Sequence, residues 1–244
     1  MIITTVGDIG DAVNGLACDL TTNIMYGVTT TDTGANPGCL IVVNRSSGAG
    51  TVIGPLGGGL TTMDDIAFSS GTLFGINYST ASLYTIDLLT GAATQFGSEV
   101  FVDTGSGVSA AIFFHRTTGY LHVFFGEAVY RVDPATGMID EPNYTTNVSF
   151  PTVAADQDLD GRVYGAYDLN ADGSDTHFLH WTVWYDPGGS TVDTGYEGEM
   201  GDSVDALCFT PGVFYQRIYG IPVEIDDNGT ETVRELLVGV VGAP

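Results

Sequence analysis

Short runs of alternating apolar and polar residues, each broken by a glycine-bearing turn, occupy the chain from end to end. A period of two predicts strands rather than helices. The runs are also alike. LIVVNRSSGAGTVIG from Leu40, LYTIDLLTGAATQFG from Leu83, VYRVDPATGMIDEP from Val129 and TVWYDPGGSTVDTG from Thr182 share one plan. An alternating strand leads to Asn44, Asp87, Asp133 or Asp186, then a turn, then a second strand, and these anchors stand 43, 46 and 53 residues apart. A second element precedes each anchor: NGLACDLTTNIMYG from Asn14, DDIAFSSGTLFG from Asp64, PTVAADQDLDGRVYG from Pro151 and DALCFTPGVFYQRIYG from Asp205. The stretch from Gly107 is a looser copy.

Together the two elements make a unit of four short strands, A to D, that repeats five times. A repeat of about 40–50 residues with four strands is the signature of a propeller blade. The expected fold is therefore all-β: a five-bladed β-propeller of four-stranded antiparallel blades in a single domain. Its blades are expected near 8–57, 60–100, 104–148, 150–199 and 201–242, the last completed by residues 2–6. That last blade lacks a fourth strand, and the orphan N-terminal strand Ile2–Val6 supplies it, which removes two open sheet edges. The phrase L-Y-x-I-D-x-x-T-G-x-x-T at Leu83–Thr94 resembles the degenerate repeats of microbial and viral β-propeller proteins. The resemblance implies the fold. It does not imply one activity, because propellers host enzymes, lectins and scaffolds.

Composition agrees with a strand-rich chain: 34 glycines and 30 threonines, with 22 Asp against 8 Glu. Lysine is absent, and six arginines leave a formal net charge of −24. Such a surface repels phosphate backbones, so nucleic-acid partners are not expected. No apolar run nears the roughly 20 residues of a membrane helix, so membrane insertion is not expected either. The N-terminus MIITTVGDIG has none of the parts of a signal peptide. Cys18, Cys39 and Cys208 are odd in number and not in metal-binding pairs, which suits buried reduced thiols.

Candidate chemistry is sparse. No nucleophile elbow or phosphate loop occurs. His177 and His180 fall on opposite faces of a strand, whereas His115 and His122 flank a hairpin turn as possible diagonal neighbours. Asn14, Asp64 and Asp205 begin the A strands of adjacent blades, with Asp65 next to them, and are expected to gather at one mouth of the axis. There they hold a cation or small ligand, or serve as turn caps. Two segments resemble calcium loops: Asp156–Gly161, and the set Asp168, Asn170, Asp172 and Asp175. Calcium is the one cofactor expected.

Lack of a catalytic motif, the acidic lysine-free composition and the repeat favour a non-enzymatic structural or adhesion module. The expected setting is a virion, as a capsid or tail-surface component, or an extracellular surface. Its partners would be other structural proteins of the same assembly. Arg116 and Arg131, in the loosest repeat, are the expected contact residues there. The alternatives are a glycan-binding propeller that uses Trp181 or Trp184 as an aromatic platform, then a glycoside hydrolase with paired carboxylates at the channel mouth.

Overall fold

The computed structural model describes the backbone of residues 3–30, 35–98, 100–102, 110–126, 128–145, 152–157, 163–168, 176–186, 189–199, 203–210, 216–223 and 235–241. Side chains are described for residues 5–30, 35–98, 100–102, 110–126, 128–140, 154–157, 163, 165 and 208. Among the described residues the regular structure is all strand, and no helix is long and apolar enough to cross a membrane.

The strands follow the alternation in the sequence. β1 (Ile3–Asp8) opens the chain. A first sheet holds β2 (Val13–Asp19), β3 (Ile24–Thr29), β4 (Cys39–Val43) and β5 (Gly50–Pro55). A second holds β6 (Asp65–Ser69), β7 (Thr72–Asn77), β8 (Ser82–Ile86) and β9 (Ala93–Gln95). A third holds β10 (Ala110–His115), β11 (Tyr120–Phe125), β12 (Ala128–Val132) and β13 (Ile139–Thr145). A fourth holds β14 (Thr152–Gln157), β15 (Val163–Asp168), β16 (Thr176–Asp186) and β17 (Gly189–Glu199). The last holds β18 (Ser203–Thr210), β19 (Gln216–Val223) and β20 (Glu235–Val241), with β1 as its outer strand. All neighbouring pairs are antiparallel, including β1 with β20, where Ile3 faces Gly239 and Asp8 faces Glu235.

The first strands of the sheets pack on one another. β2 lies against β6, β6 against β10, β10 against β14, β14 against β18, and β18 against β2. Tyr26, one position before the glycine of β3, fills space between sheets: it meets Phe68 of the next sheet with ring centroids 5.3 Å apart.

Three repeat anchors have a mechanical reason, and the side chain of the fourth, Asp186, lies outside the described residues. Asp87 Oδ1 accepts hydrogen bonds from Leu89 N at 2.9 Å and Thr90 N at 2.8 Å, an Asx turn that folds the chain from β8 to β9. Asn44 and Asp133 do the same for Ser46 N and Ala135 N, each at 2.8 Å. In these three turns the closing glycine touches the preceding sheet at or just after its outer strand. Gly91 (φ 80°) abuts Gly54, Gly137 (φ 73°) abuts Gly97, and Gly48 (φ 81°) abuts Gly7 of β1. β1 thus makes the same inter-sheet contact as the other outer strands.

A Cβ at Gly91 would overlap the Gly54 carbonyl oxygen, whereas Gly119 (φ 79°) has nothing within 4 Å. Gly119→Ala therefore carries only the left-handed backbone cost of about 1–2 kcal/mol. Gly91→Ala adds a backbone clash, and its expected loss exceeds that of Gly119→Ala by about 1–3 kcal/mol in denaturant unfolding. Equal losses would show that the glycine seam does not constrain the sheets.

Candidate functional site

The inner strands turn one edge toward the axis, where their backbone N–H groups need acceptors. Asp65, the first residue of β6, supplies one and is fully buried. Its Oδ1 accepts from Ile66 N at 2.9 Å and its Oδ2 from Ile112 N of β10 at 3.0 Å. Ala155 N of β14 donates to the same carboxyl. One side chain therefore joins three sheets. Burial pushes this carboxyl well above the usual range. The backbone donors oppose that shift, and the nearby Asp156 charge adds to it.

The preceding residue, Asp64, is only partly buried. Its Oδ2 accepts from Tyr78 N at 2.7 Å. Burial raises its pKa to about 6, against the lowering effect of the Tyr78 hydrogen bond. Asn14 stands at the equivalent place in β2, at the irregularity between Val13 and Gly15. Its Nδ2 donates to Thr62 Oγ1 at 3.3 Å, and buried Asn77 donates through Nδ2 to Thr62 O at 3.0 Å. Thr62 thus ties Asn14 to the segment that enters Asp64. Asp205 occupies the matching irregularity of β18, between Val204 and Ala206. Its side chain lies outside the described residues. Register thus places Asn14, Asp64 and Asp205 at the same end of three successive inner strands.

The other sequence candidates sit elsewhere. Asn170, Asp172 and Asp175 lie outside the described residues, as do the side chains of Asp168, Trp181 and Trp184 and the loop after Gln157. Trp181 and Trp184 both fall within β16. Arg116 N donates to Gln157 Oε1 at 2.8 Å and its Nη1 to Gln157 O at 2.5 Å, linking the third sheet to β14. Arg131 pairs with Asp140 and lies 4.6 Å over the Tyr120 ring. His115 and His122 are buried diagonal neighbours with ring centroids 5.4 Å apart. Burial, with His115 and Arg131 nearby, lowers the His122 pKa to about 3, so its imidazole is neutral. Among the described residues no three His, Cys, Asp or Glu side chains converge as metal ligands. All three cysteines are free and buried, and burial pushes Cys18 up to about 12, so it is no nucleophile.

No protein-family model matches this chain, and no curated protein matches it in sequence. Solved structures do match in shape. An aldose sugar dehydrogenase from Streptomyces coelicolor, in its PQQ-bound form, aligns over 98% of this chain and 98% of its own at a TM-score of 0.56 and 12% identity. A GH43 β-xylosidase/α-arabinofuranosidase from a compost metagenome aligns over 100% and 96% at 0.56 and 11% identity. A GH43 endo-arabinanase from Bacillus licheniformis aligns over 96% and 94% at 0.52 and 14% identity. All three are β-propeller-like. Identities this low establish the fold alone. The three are also enzymes, and none is a virion protein. That corrects the expectation of a non-enzymatic virion module with a capsid or host-attachment role. The inference failed because acid-pair chemistry needs no contiguous motif, so lack of a motif said nothing against it.

Asp64 also predicts a pH effect on stability. Its folded pKa, about 6, lies above the ordinary carboxyl value of 3.8. A raised carboxyl favours the folded state below the unfolded value, and that contribution is lost as pH rises through the folded value. Asp64→Asn, which keeps an acceptor for Tyr78 N, is expected to be more stable than wild type by about 1–3 kcal/mol near pH 8. Near pH 4 the two are expected to match within about 0.5 kcal/mol. A pH-independent difference would place Asp64 in solvent.

Proposed function

We infer that this chain is a five-bladed β-propeller that hydrolyses neutral glycans at the end of the axis where its inner strands begin. The carrying observation is Asp64: a carboxyl at the strand start whose pKa is raised to about 6, so that it keeps its proton in mildly acidic solution, up to about pH 6. Glycoside hydrolysis uses two carboxyls, one of which must stay protonated to donate to the leaving oxygen. Asp64 takes that acid role. Asp205, at the same register two inner strands away, is assigned the ionised partner, with Asn14 between them as a hydrogen-bonding residue toward the sugar. The likeness to glycoside hydrolases supports the substrate class. A net charge of −24 without lysine disfavours polyanionic glycans, which leaves neutral chains.

Reducing-end release from arabinan and xylan is the test. Asp64→Asn is expected to lower kcat by about 100- to 10,000-fold. Wild-type activity is expected to fall as pH rises above about 6, as the acid loses its proton. No release from any neutral polysaccharide would reject the reading.

Calcium belongs to the same proposal, at Asp168, Asn170, Asp172 and Asp175. The metagenomic xylosidase is described in a calcium-free form, which supports asking the question of this fold. Chelator is expected to lower the melting temperature by several degrees, about 1 kcal/mol or more, with recovery on adding calcium. An unchanged melt with no calorimetric binding would remove the ion.

A further inference from the structure

The opposite end of the inner strands carries a second feature. Where β2 and β6 run into their hairpin turns, a cleft of about 190 Å³ opens between the first and second sheets and reaches toward β10 and β14. That is the space of roughly six waters, below the size of a drug site and enough for one small polar ring. It is separate from the Asp64 end. β6 spans five residues between them, roughly 15 Å of extended chain.

The walls are of two kinds. Phe68 and Phe114, both only partly buried, present aromatic surface. Asp19, Asp156, Thr21 and Arg116 present polar atoms. Asp19 is held in place by its own turn: Oδ1 accepts from Thr21 N at 2.9 Å and Oδ2 from Thr22 Oγ1 at 2.7 Å. Arg116 is anchored on Gln157 of β14. Asp156 is fixed by Gln157 N, which donates to its Oδ1 at 2.7 Å. The polar groups are therefore pre-positioned by backbone bonds, which reduces the ordering cost of binding.

We propose that this cleft binds one neutral pyranose, as a non-catalytic sugar site on the face opposite Asp64. A pyranose has apolar C–H faces that suit the phenyl rings and a rim of hydroxyls that each donate and accept. Carboxylates take the hydroxyl protons, and the guanidinium fork donates to hydroxyl oxygens. Two carboxylates against one guanidinium disfavour an anionic sugar. The chemistry comes from the cleft itself, and the hydrolase reading contributes only the idea that the sugar is one end of a longer glycan.

Asp64→Asn protein is titrated with the methyl pyranosides of glucose, galactose, mannose and xylose, followed by saturation-transfer NMR and calorimetry. At least one is expected to bind with Kd of about 1–10 mM, the range for a single ring. Thr21→Trp, at an exposed turn position whose backbone bond to Asp19 is kept, fills the cleft and is expected to remove binding. Phe114→Ala is expected to weaken it about 10-fold. No binding of any of the four at about 10 mM, or binding unchanged by Thr21→Trp, overturns the proposal. So does binding of an amine or a metal ion in place of every sugar. The two readings separate cleanly. Sugar binding that Thr21→Trp abolishes, where the wild-type protein releases no reducing ends from any neutral polysaccharide, keeps this site and rejects the hydrolase. Hydrolysis without such binding does the reverse.

Discussion

The inner edge of each sheet has backbone donors with no fifth strand to meet them, and the Asp65 carboxyl answers that constraint. It reaches across from β6 to Ile112 N of β10 and to Ala155 N of β14. A wider ring would leave room for water to do this work. Here small residues such as Ala110, Ala111, Ala154 and Ala155 line the inner strands and are fully buried. The acceptor here is the Asp65 side chain, which reaches two other inner strands. Its cost is a buried carboxyl, offset by backbone donors.

The outer rim is held by a different device. The Asx turn at Asp87 and its counterparts sets the angle of each hairpin, and the glycine after it lets one sheet's turn rest on its neighbour's outer strand. Gly7 lets β1 take part in this contact although it comes from the other end of the chain. The axis is therefore pinned by a carboxyl and the rim by glycine contacts, and the apolar layers between carry the packing.

This division explains how Asp64 and Asp65, side by side in sequence, have different fates. Strand alternation sends their side chains to opposite sides. Asp65 goes to the axis and is consumed by structure. Asp64 stays at the strand entrance, bonded by Tyr78 N and partly exposed. A partly desolvated carboxyl that keeps contact with solvent is the kind of group that exchanges protons near neutrality. Arg116 and His122 show the other outcome: one spans two sheets as a strut, and the other is neutral in the core.

Local pattern alone determined the strand class, the hairpin anchors Asn44, Asp87 and Asp133, the aromatic packing of Tyr26 and the pairing role of the N-terminal strand. These depend on alternation and turn chemistry within a few residues. The diagonal contact of His115 and His122 was legible for the same reason, since a hairpin sets it. Tertiary structure alone decided which acid reaches the axis, how far burial lifts the Asp64 carboxyl, that Arg116 ends on Gln157 of the next sheet, and that a cleft opens beside Phe68. Each is a contact between sheets, set by how closely the inner strands pack, and no spacing within one repeat encodes that distance.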